Sequence, residues 1–397
     1  MKIGILSYRM EYYINQRLML GKLPEAEYVP AKDWYGFIRR LANKLNRTLG
    51  KPLIPIFNLN NQFEDLDLNR VELLHFFNGI SYGRTPWVTS FETIVPRFAH
   101  LVTRHQGKEI GHTGLDALTR RGLEALAGSA CLAILPLSQS AALMQKDLLK
   151  SYAAEYAQPI LDKMRVLHPP QEVLVPELRP RAYSARNPIK FILVGAAFSR
   201  KGGREILDVF EKLVRQENLP IRLIIVSSLR IENFAAQETE ADVAWAKAKI
   251  AENSDWLEHY PELPNAETLA LMRAADVGLL PSYADTYGFS VLEMQACGVP
   301  VVSTDIRALP EINNSTVGWL IKVPKNALGE ALFATAEERQ ALSQSIRGGL
   351  EQFVREIAAD PAQIAIKGTA ALERIRKEHN PAAYADALRQ VYRLAAQ

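Results

Sequence analysis

Short apolar runs alternate with helical patterns along most of the chain. The runs have the length and composition of buried parallel strands, and they fall at 2–7, 53–57, 71–77, 87–91, 130–137, 191–194, 223–226, 277–280 and 299–302. Between several of these runs the sequence predicts helices, among them 32–48, 241–251 and 266–275. This alternation predicts an α/β fold in which parallel sheets carry helices on both faces.

The length and the proline distribution predict two domains. A chain of 397 residues is too long for one ordinary hydrophobic core. Five prolines between 168 and 188 mark a linker. We therefore expect a first domain over 1–180, a second domain over 189–378 and a final helix over 380–397, which begins at an Asn-Pro pair.

The composition excludes several classes of protein. The chain is 48% hydrophobic and 23% charged, and we find neither a membrane-spanning run nor a signal-peptide pattern, so we expect a cytoplasmic globular protein. Cys131 and Cys297 are far apart and form neither a disulfide framework nor a metal-ligand spacing. Because the net charge is only +3, we expect no nucleic-acid partner.

The predicted helix 32–48 leaves two interpretations open. Its basic residues lie largely away from an apolar stripe that consists of Trp34, Phe37, Ile38, Leu41 and Leu45. In the interpretation that we favour, the stripe packs on the first sheet and the basic face is solvated. Alternatively, the helix makes peripheral contact with an anionic membrane at its inner face. Residues 1–51 carry ten Lys or Arg against four Asp or Glu, which suits such a surface.

The stretch 276–310 carries the most informative pattern. A small polar loop follows its strand, and a helix begins beyond Gly288 and ends near Gly298. Asp285 and Glu293 bracket the start of that helix. The positive end of a helix can bind an anion, and carboxylates can accept hydrogen bonds from hydroxyls. The stretch is therefore suited to a ligand that carries both kinds of group.

A second loop, 195–203, joins a predicted strand to a predicted helix. Its glycines let the backbone approach a ligand, Lys201 supplies a point charge, and Arg200 supplies a planar fork for phosphate oxygens. By itself the loop is equally a surface turn with solvated cations, and it lacks the P-loop pattern. In a doubly wound sheet, however, both loops leave the carboxyl ends of strands, where ligands bind. Together they predict a diphosphate site.

The segments VGAAFSRKGG and ADVGLLPSYADTYGFSVLEMQACGVPVVSTD together resemble the donor-binding half of retaining glycosyltransferase family 4, which has the GT-B fold. The family's signature is two glutamates separated by seven residues and followed by an alanine-x-glycine-x-proline run. The positions in that register here are Asp285, Glu293, Ala296, Gly298 and Pro300. The resemblance covers 190–313, and the first half agrees only in layout. It implies two Rossmann-like doubly wound domains that face each other across a cleft, with the last helix crossing back to the first domain.

The resemblance also implies roles for residues of the second domain. Lys201 would pair with the donor diphosphate and Arg200 would assist it, whereas Asp285 would hold hydroxyls of the transferred sugar. We predict these three as catalytic. Glu293 would accept hydrogen bonds from the ribose hydroxyls. The other donor-binding positions are Gly195 and the backbone amides of Tyr287, Gly288 and Phe289.

Two positions of the first domain are candidates for the acceptor side. Glu92 ends the run 87–91, where many relatives have a histidine that faces the cleft, and we predict it as a catalytic or acceptor-binding residue. Its alternative role is an ion pair with Arg97. Asn78 follows the run 71–77 and is the second acceptor-side candidate.

Two departures from the family pattern leave a rival function open. Ala196 stands where the family often has arginine, and Asp285 is one methylene shorter than the usual glutamate. These departures permit a catalytically inactive GT-B protein that binds a nucleotide sugar. A sugar epimerase or a phosphorylase of the same fold is a further alternative, although we find no lysine context for the pyridoxal cofactor of a phosphorylase.

The function that we predict is the retaining transfer of a hexose from a UDP- or GDP-linked donor to a sugar, lipid or small-molecule acceptor. The resemblance implies a front-face route in which the leaving phosphate helps to deprotonate the acceptor. Because Lys201, Arg200 and the helix N-terminus are suited to stabilise the leaving diphosphate, we expect no metal or other cofactor. Asp65-Leu66-Asp67 has the spacing of a metal motif from the other major glycosyltransferase fold, but so short a match in an acidic loop is weak support. Recognition of the base is expected near 227–230 and 259–263.

Overall fold

The structure, a computed structural model, describes residues 1–51, 53–104, 116–152, 154–178, 181–232 and 234–396. The chain forms two compact units. Unit 1 comprises Met1–Pro170 and Pro381–Gln397, and unit 2 comprises Gln171–Asn380.

Unit 2 begins nearer the N-terminus than the predicted limit of 189. Residues 171–174 of the proline-rich segment belong to unit 2, because the Gln171 N–H donates to the His379 carbonyl and the Leu174 N–H to the Ala296 carbonyl, both at 2.8 Å. The units therefore divide after residue 170 rather than between 180 and 189. Residues 179 and 180 of the predicted linker lie outside the described residues.

Unit 1 is built on a five-stranded parallel sheet. The unit's strands, five in this sheet and two in a separate pair, are β1 (Lys2–Leu6), β2 (Glu27–Ala31), β3 (Gln62–Phe63), β4 (Leu73–Phe77), β5 (Ile80–Ser81), β6 (Trp87–Phe91) and β7 (Cys131–Pro136). The helices are α1 (Tyr13–Leu18), α2 (Trp34–Leu49), α3 (Ala99–Arg104), α4 (Ala117–Ala127), α5 (Gln139–Tyr152) and α6 (Ala154–Asp162). The main sheet has the order β2-β1-β4-β6-β7, and β3 pairs with β5. This order places the topological switch at the carboxyl ends of β1 and β4, where such sheets bind ligands.

Unit 2 is built on a six-stranded parallel sheet. Its strands are β8 (Ile189–Val194), β9 (Ile221–Val226), β10 (Leu257–Tyr260), β11 (Val277–Leu280), β12 (Val301–Thr304) and β13 (Gly318–Ile321). Its helices are α7 (Gly203–Arg215), α8 (Glu240–Glu252), α9 (Asn265–Ala274), α10 (Phe289–Ala296), α11 (Leu309–Ile312), α12 (Ala336–Ala359) and α13 (Ala362–Glu378), after which α14 (Pro381–Arg393) returns to unit 1. The order β10-β9-β8-β11-β12-β13 is that of a Rossmann sheet, with its switch point between β8 and β11.

A buried histidine joins α14 to the sheet of unit 1. The His75 imidazole lies 2.7 Å from the Tyr392 hydroxyl and 2.9 Å from the Ser90 hydroxyl. Burial lowers the pKa of His75 to about 3. The ring is therefore neutral near pH 7, and it serves as a structural hydrogen-bonding group rather than as an acid.

Helix α2 turns its apolar stripe outward, so the interpretation that this stripe packs on the first sheet is wrong. Its buried residues are the small Gly36 and Ala42, and the helix contacts the turn Asn58–Asn61. The large apolar side chains are between 38% and 55% exposed, namely Trp34, Phe37, Ile38, Leu41, Leu45 and Leu49. Helix α2 is thus amphipathic, and in the described part of the chain no helix is long and apolar enough to cross a bilayer.

Candidate functional site

The loops that follow β8 and β11 interlock at the switch point of unit 2. These strands are neighbours in the sheet, so their carboxyl ends lie side by side. The Tyr283 N–H donates to the Arg200 carbonyl at 2.8 Å, and the Arg200 guanidinium donates to the Ala284 carbonyl. A Cβ on Gly202 would lie 2.4 Å from the Pro281 carbonyl oxygen, so a glycine is needed for this close approach. The structure thus brings the two predicted loops into one site.

Lys201 crosses one loop to reach the other. It ends the turn Ser199–Lys201, and its Nζ lies 3.2 Å from Asp285 Oδ2. A Cβ on Gly195 would lie 2.2 Å from Lys201 Cε, so the lysine side chain runs directly over the glycine. Gly195 also has a φ of +149°, which favours glycine. The side chains of Lys201 and Asp285 are 14% and 13% exposed, so solvent screens their interaction weakly.

Asp285 is held as a carboxylate. Burial alone raises the pKa of Asp285, but the positive charges of Lys201, Arg200 and Arg307 outweigh this effect and the pKa is lowered. At neutral pH the side chain is therefore a hydrogen-bond acceptor and has no proton to donate. Such a group can bind sugar hydroxyls but cannot serve as a general acid in this state.

Arg200 connects separate segments of the site and also contributes a positive charge. Its Nε donates to Glu232 Oε2 at 2.9 Å, and its side chain is 19% exposed. The neighbouring Ser199 hydroxyl donates to Glu238 at 2.5 Å. Neither glutamate was predicted as a site residue, since each lies in the long segment between β9 and α8, where the sequence shows no periodic pattern. The catalytic role of Arg200 stays a prediction.

Arg307 is a site cation that the sequence argument missed. It lies three residues beyond the end of β12, the strand next to β11 in the sheet. Its guanidinium is paired with Glu330 at 2.5 Å, and its side chain is 7% exposed. Its position in the sequence could have indicated this role, because residues just past the carboxyl end of a central parallel strand lie at the edge of the sheet where ligands bind.

The N-terminus of α10 completes the site. Gly288 precedes the helix with a φ of +92°, and a Cβ there would lie 2.5 Å from Leu309 Cδ2, so this turn also requires glycine. Tyr287 is buried, and its ring centroid lies 5.2 Å from that of Phe289. Glu293 is the fifth residue of α10 and is partly exposed. The predicted amide positions 287–289 and the predicted ribose-binding residue Glu293 therefore lie on the short helix α10 and on the turn that precedes it.

The two segments predicted to recognise the base adjoin the first loop. The Ser227 hydroxyl donates to the Ala196 carbonyl at 3.3 Å, and the Arg230 N–H donates to the same carbonyl at 3.2 Å. His259 Nε2–H donates to the Ser227 carbonyl at 2.8 Å. This arrangement links the ends of β9 and β10 to the Gly195–Ala196 turn, and the base-recognition role stays a prediction.

The acceptor-side candidates lie together in unit 1. Asn78, with a φ of +59°, accepts a hydrogen bond at 3.3 Å from the Glu92 N–H through Oδ1. The Glu92 carboxylate pairs with Arg97 at 3.4 Å, which is the alternative that the sequence left open. Among the described residues, no group of three His, Cys, Asp or Glu is arranged to hold a metal. Asp65 instead accepts the Asp67 N–H at 3.0 Å within its own turn.

Residues 176–347 match the model of a known family, described as Glycosyl transferases group 1. The chain is also similar to a D-inositol 3-phosphate glycosyltransferase of Pseudarthrobacter chlorophenolicus, with 29% identity over 171 residues that cover 41% of this chain and 38% of that protein. A further relative is O-antigen chain mannosyltransferase B of Escherichia coli, with 27% identity over 30% of each chain. The chain thus matches less than half the length of these curated relatives.

Solved structures resemble the chain over nearly its whole length. Sucrose-phosphate synthase from Thermosynechococcus elongatus has a TM-score of 0.55 at 16% identity, covering 95% of this chain and 83% of its own. HepE of Anabaena, solved in complex with UDP, has a TM-score of 0.54 at 14% identity, covering 92% of this chain and 85% of its own. At such identities the likeness establishes the fold, and the predicted GT-B class is confirmed.

Proposed function

We propose that this chain, a GT-B protein of the GT4-like superfamily, transfers a hexose from a nucleoside diphosphate sugar to an acceptor with retention of anomeric configuration. The observation that carries the proposal is the pairing of Lys201 with Asp285 at the switch point of unit 2, beside the start of α10. A cation and a helix N-terminus suit a phosphate, and a carboxylate suits a sugar hydroxyl. We assign the donor to unit 2 and the acceptor to unit 1.

The cations of unit 2 would stabilise the departing diphosphate. Lys201, Arg200 and Arg307 all lower the pKa of Asp285, so three cations lie in one small region, each beside a carboxylate partner. As the bond between the anomeric carbon and the phosphate oxygen breaks, negative charge grows on the diphosphate and these groups stabilise it. The acceptor oxygen bonds to the same face of that carbon, and its proton passes to the departing phosphate oxygen. The route that we propose is metal-independent.

Lys201 and Asp285 would act on both parts of the donor. The ammonium has three N–H donors, so it can keep its contact with Asp285 and also bind a phosphate oxygen. The carboxylate has two oxygens and can accept from Lys201 and from a sugar hydroxyl at once. The pair would thereby fix the sugar relative to its leaving group, which is the positioning that a transferase needs.

A panel of UDP- and GDP-hexoses tests this proposal. Uridine donors come first, because HepE has been solved with UDP and with UDP-glucose. We expect at least one donor to be hydrolysed slowly, with release of free nucleoside diphosphate, and faster release when an acceptor is present. Binding of a donor without hydrolysis or transfer would instead support the inactive-scaffold alternative.

Replacing Glu293 with alanine should weaken the binding of nucleoside diphosphates but not of pyrophosphate. A hydrogen bond to a charged group is worth about 1.5–3 kcal/mol, so the Kd for UDP should rise about 10- to 100-fold. Calorimetric titration with UDP and with pyrophosphate makes the comparison, and Glu267→Ala, on the exposed first turn of α9, is the matched control. Equal losses for the two ligands would contradict a ribose contact.

We further propose that unit 1 docks on an anionic lipid surface through α2. Six large apolar side chains of this helix are exposed, and Trp34 stacks on Phe37 with ring centroids 5.5 Å apart. Aromatic rings of this kind favour the boundary between lipid and water. The helix also exposes the cations Arg40, Lys44 and Arg47, which complement anionic headgroups. Charge complementarity therefore favours a lipid surface over a neutral protein partner.

Replacing Leu41 with serine should weaken binding to anionic vesicles about tenfold, since a half-exposed leucine loses its transfer into lipid. Co-sedimentation with phosphatidylcholine vesicles, with and without phosphatidylglycerol, measures the effect. Leu143→Ser is the matched control, because Leu143 of α5 is 46% exposed and Leu41 is 53% exposed. Equal binding by both variants would overturn the proposal. So would a dimer in sedimentation velocity that Leu41→Ser dissociates, since a second copy would then cover α2.

A further inference from the structure

Unit 1 contains a cavity at its own switch point, where β1 and β4 end. Its volume is about 360 Å³. The residues that line it are Arg9, Tyr12, Asn61, Phe77, Asn78 and Arg97. Sites for small molecules have volumes of about 300–1,000 Å³, and they combine apolar surface with a few polar groups that orient the ligand. The cavity has the size and the mixed lining of such a site.

Asn78 provides a hydrogen-bond donor in this lining. The residue is 3% exposed, its N–H donates to the Ser90 carbonyl at 2.8 Å, and its Oδ1 accepts from the Glu92 N–H at 3.3 Å. Because Oδ1 is the end of the amide that accepts, the other end is the NH₂ group. Among the described residues, Nδ2 has no hydrogen-bond partner. An oxygen of a ligand in the cavity can therefore accept from Nδ2.

The backbone of Asn78 supports a role for this amide. The residue has a φ of +59°, in the left-handed region that glycine adopts at the least cost. A non-glycine residue held in such a conformation often marks a functional position. Glycine would form the turn after β4 equally well but would lack the side chain that lines the cavity.

Asn61 provides a hydrogen-bond acceptor in the same lining. It is as buried as Asn78, and its Nδ2 donates to the Phe57 and Arg97 carbonyls at 3.0 Å each. Only an NH₂ group can donate to two carbonyls, so the orientation of this amide is fixed and Oδ1 is its other polar atom. Oδ1 accepts no hydrogen bond from the part of the chain that the structure describes. The cavity thus offers one amide donor and one amide acceptor.

Tyr12 adds an aromatic surface beside the amides. The residue is 46% exposed, and its ring centroid lies 6.3 Å from that of Phe77. Its N–H donates to the Arg9 carbonyl at 2.9 Å, and its carbonyl accepts from the Asn15 N–H at 2.8 Å. These bonds fix the backbone that carries the ring, and the exposed part of the ring is available to an apolar surface of a ligand.

We propose that this cavity binds a polyol ring of the acceptor, a pyranose or a cyclitol, through Asn61, Asn78 and Tyr12. A hydroxyl both donates and accepts, so one hydroxyl or two neighbouring ones can donate to Asn61 Oδ1 and accept from Asn78 Nδ2. The C–H groups on one side of such a ring form an apolar face that can pack on the Tyr12 ring. The proposal rests on the transferase function proposed above and adds the chemical class of the acceptor.

Saturation-transfer difference NMR on the intact chain tests the site without relying on turnover. The probes are the methyl pyranosides of glucose, galactose and mannose, together with myo-inositol as a cyclitol and sorbitol as an open-chain polyol. We expect at least one ring to bind, with saturation of its C–H protons, and sorbitol to bind more weakly because it has no rigid apolar face. The pyranosides and myo-inositol distinguish the two sources of the ring. Binding of no ring, or equal binding of sorbitol, would overturn the proposal.

Replacing Asn78 with aspartate should weaken the binding of the best ring about three- to tenfold, the usual effect of one hydrogen bond. Aspartate keeps the acceptor for the Glu92 N–H and tolerates the left-handed backbone, but it has no N–H to donate. Asn58→Asp is the matched control, because Asn58 lies outside the lining in unit 1 and its Oδ1 also accepts a backbone N–H, that of Ala99 at 2.8 Å. Equal losses in both variants would contradict the contact.

Replacing Tyr12 with alanine should weaken the binding of the same ring about tenfold, because the apolar contact is lost. Tyr12→Phe keeps the aromatic ring and should therefore keep most of the affinity. A loss as large in Tyr12→Phe as in Tyr12→Ala would assign the effect to the hydroxyl and overturn the packing of the polyol ring on Tyr12.

Transfer kinetics and nucleotide binding separate this site from the donor site. With the best donor, Asn78→Asp should raise the KM for the acceptor and leave the KM for the donor unchanged, whereas general damage to the fold would alter both. The affinity for UDP, measured on the same samples, reports on unit 2. A wild type that binds UDP but no ring would overturn this proposal alone. A wild type that binds a ring but no nucleoside diphosphate would count against the transferase function alone.

Discussion

Replacing Lys201 with alanine is expected to lower kcat/KM for sugar transfer by about 10²–10³-fold, the usual effect of removing one preorganised group that stabilises developing charge. Lys201 is the cation that contacts Asp285, at 3.2 Å, and its side chain is mostly buried. Its loss would leave the negative charge that grows on the departing diphosphate less stabilised. It would also leave the Asp285 carboxylate without its nearest counter-ion, so that this side chain would repel the phosphate.

Steady-state kinetics with the best donor measure this effect, together with UDP affinity by calorimetry. The matched control is Lys212→Ala, since Lys212 lies on the adjoining helix α7 and pairs with Glu351 at the surface. Its ion pair is half-exposed and is worth about 0–1 kcal/mol, so activity should change little. Unchanged kcat/KM and unchanged UDP affinity in Lys201→Ala would contradict the assignment of Lys201 to the diphosphate.

The donor loops could be predicted because each joins two independent local signals. The first signal is a continuous apolar run, which is typical of a buried parallel strand. The second is a glycine in the following loop, which indicates a backbone conformation or a close approach that other residues do not tolerate. Gly195 and Gly288 both have positive φ values in the structure, as such positions require. The alternation of elements then fixes which edge of the sheet carries both loops. Their meeting therefore follows from local pattern and from parallel topology.

Elements without such signals could not be predicted from the sequence. Strand β2 lies at the edge of its sheet, contains Pro30, and has only Ala31 buried among its five residues, so it lacks the pattern of a buried parallel strand. Arg307, three residues beyond the end of β12, is a single residue whose role depends on the fold. Helix α2 was recognised from its periodicity, but the period shows only that one face is apolar. The period does not show whether that face packs on a sheet or is exposed at the surface of the protein. Gly36 and Ala42, the buried residues of the helix, lie outside the apolar stripe.

Replacing Gly195 with alanine is expected to lower kcat/KM by about 10²-fold, nearly as much as loss of Lys201 itself. The new Cβ would lie 2.2 Å from Lys201 Cε, so the lysine side chain must leave its position over the loop. A φ of +149° also strains alanine, at a cost of about 1–3 kcal/mol in stability. Kinetics and thermal unfolding are measured together. Gly348→Ala is the control, because nothing lies within 4 Å of its Cβ position on α12, and it should stabilise the chain slightly.

The double variant Gly195→Ala/Lys201→Ala separates two ways in which Gly195 can act. If alanine at 195 acts by displacing the Lys201 side chain, that effect vanishes once Lys201 is already alanine, and the double variant should be no slower than Lys201→Ala. If Gly195 instead lets the backbone itself approach the donor, the two losses should multiply, because they are then independent. Since the contact with Lys201 Cε is closer than any real Cβ contact, we expect the first outcome. Multiplicative losses would contradict it and assign Gly195 to direct donor binding.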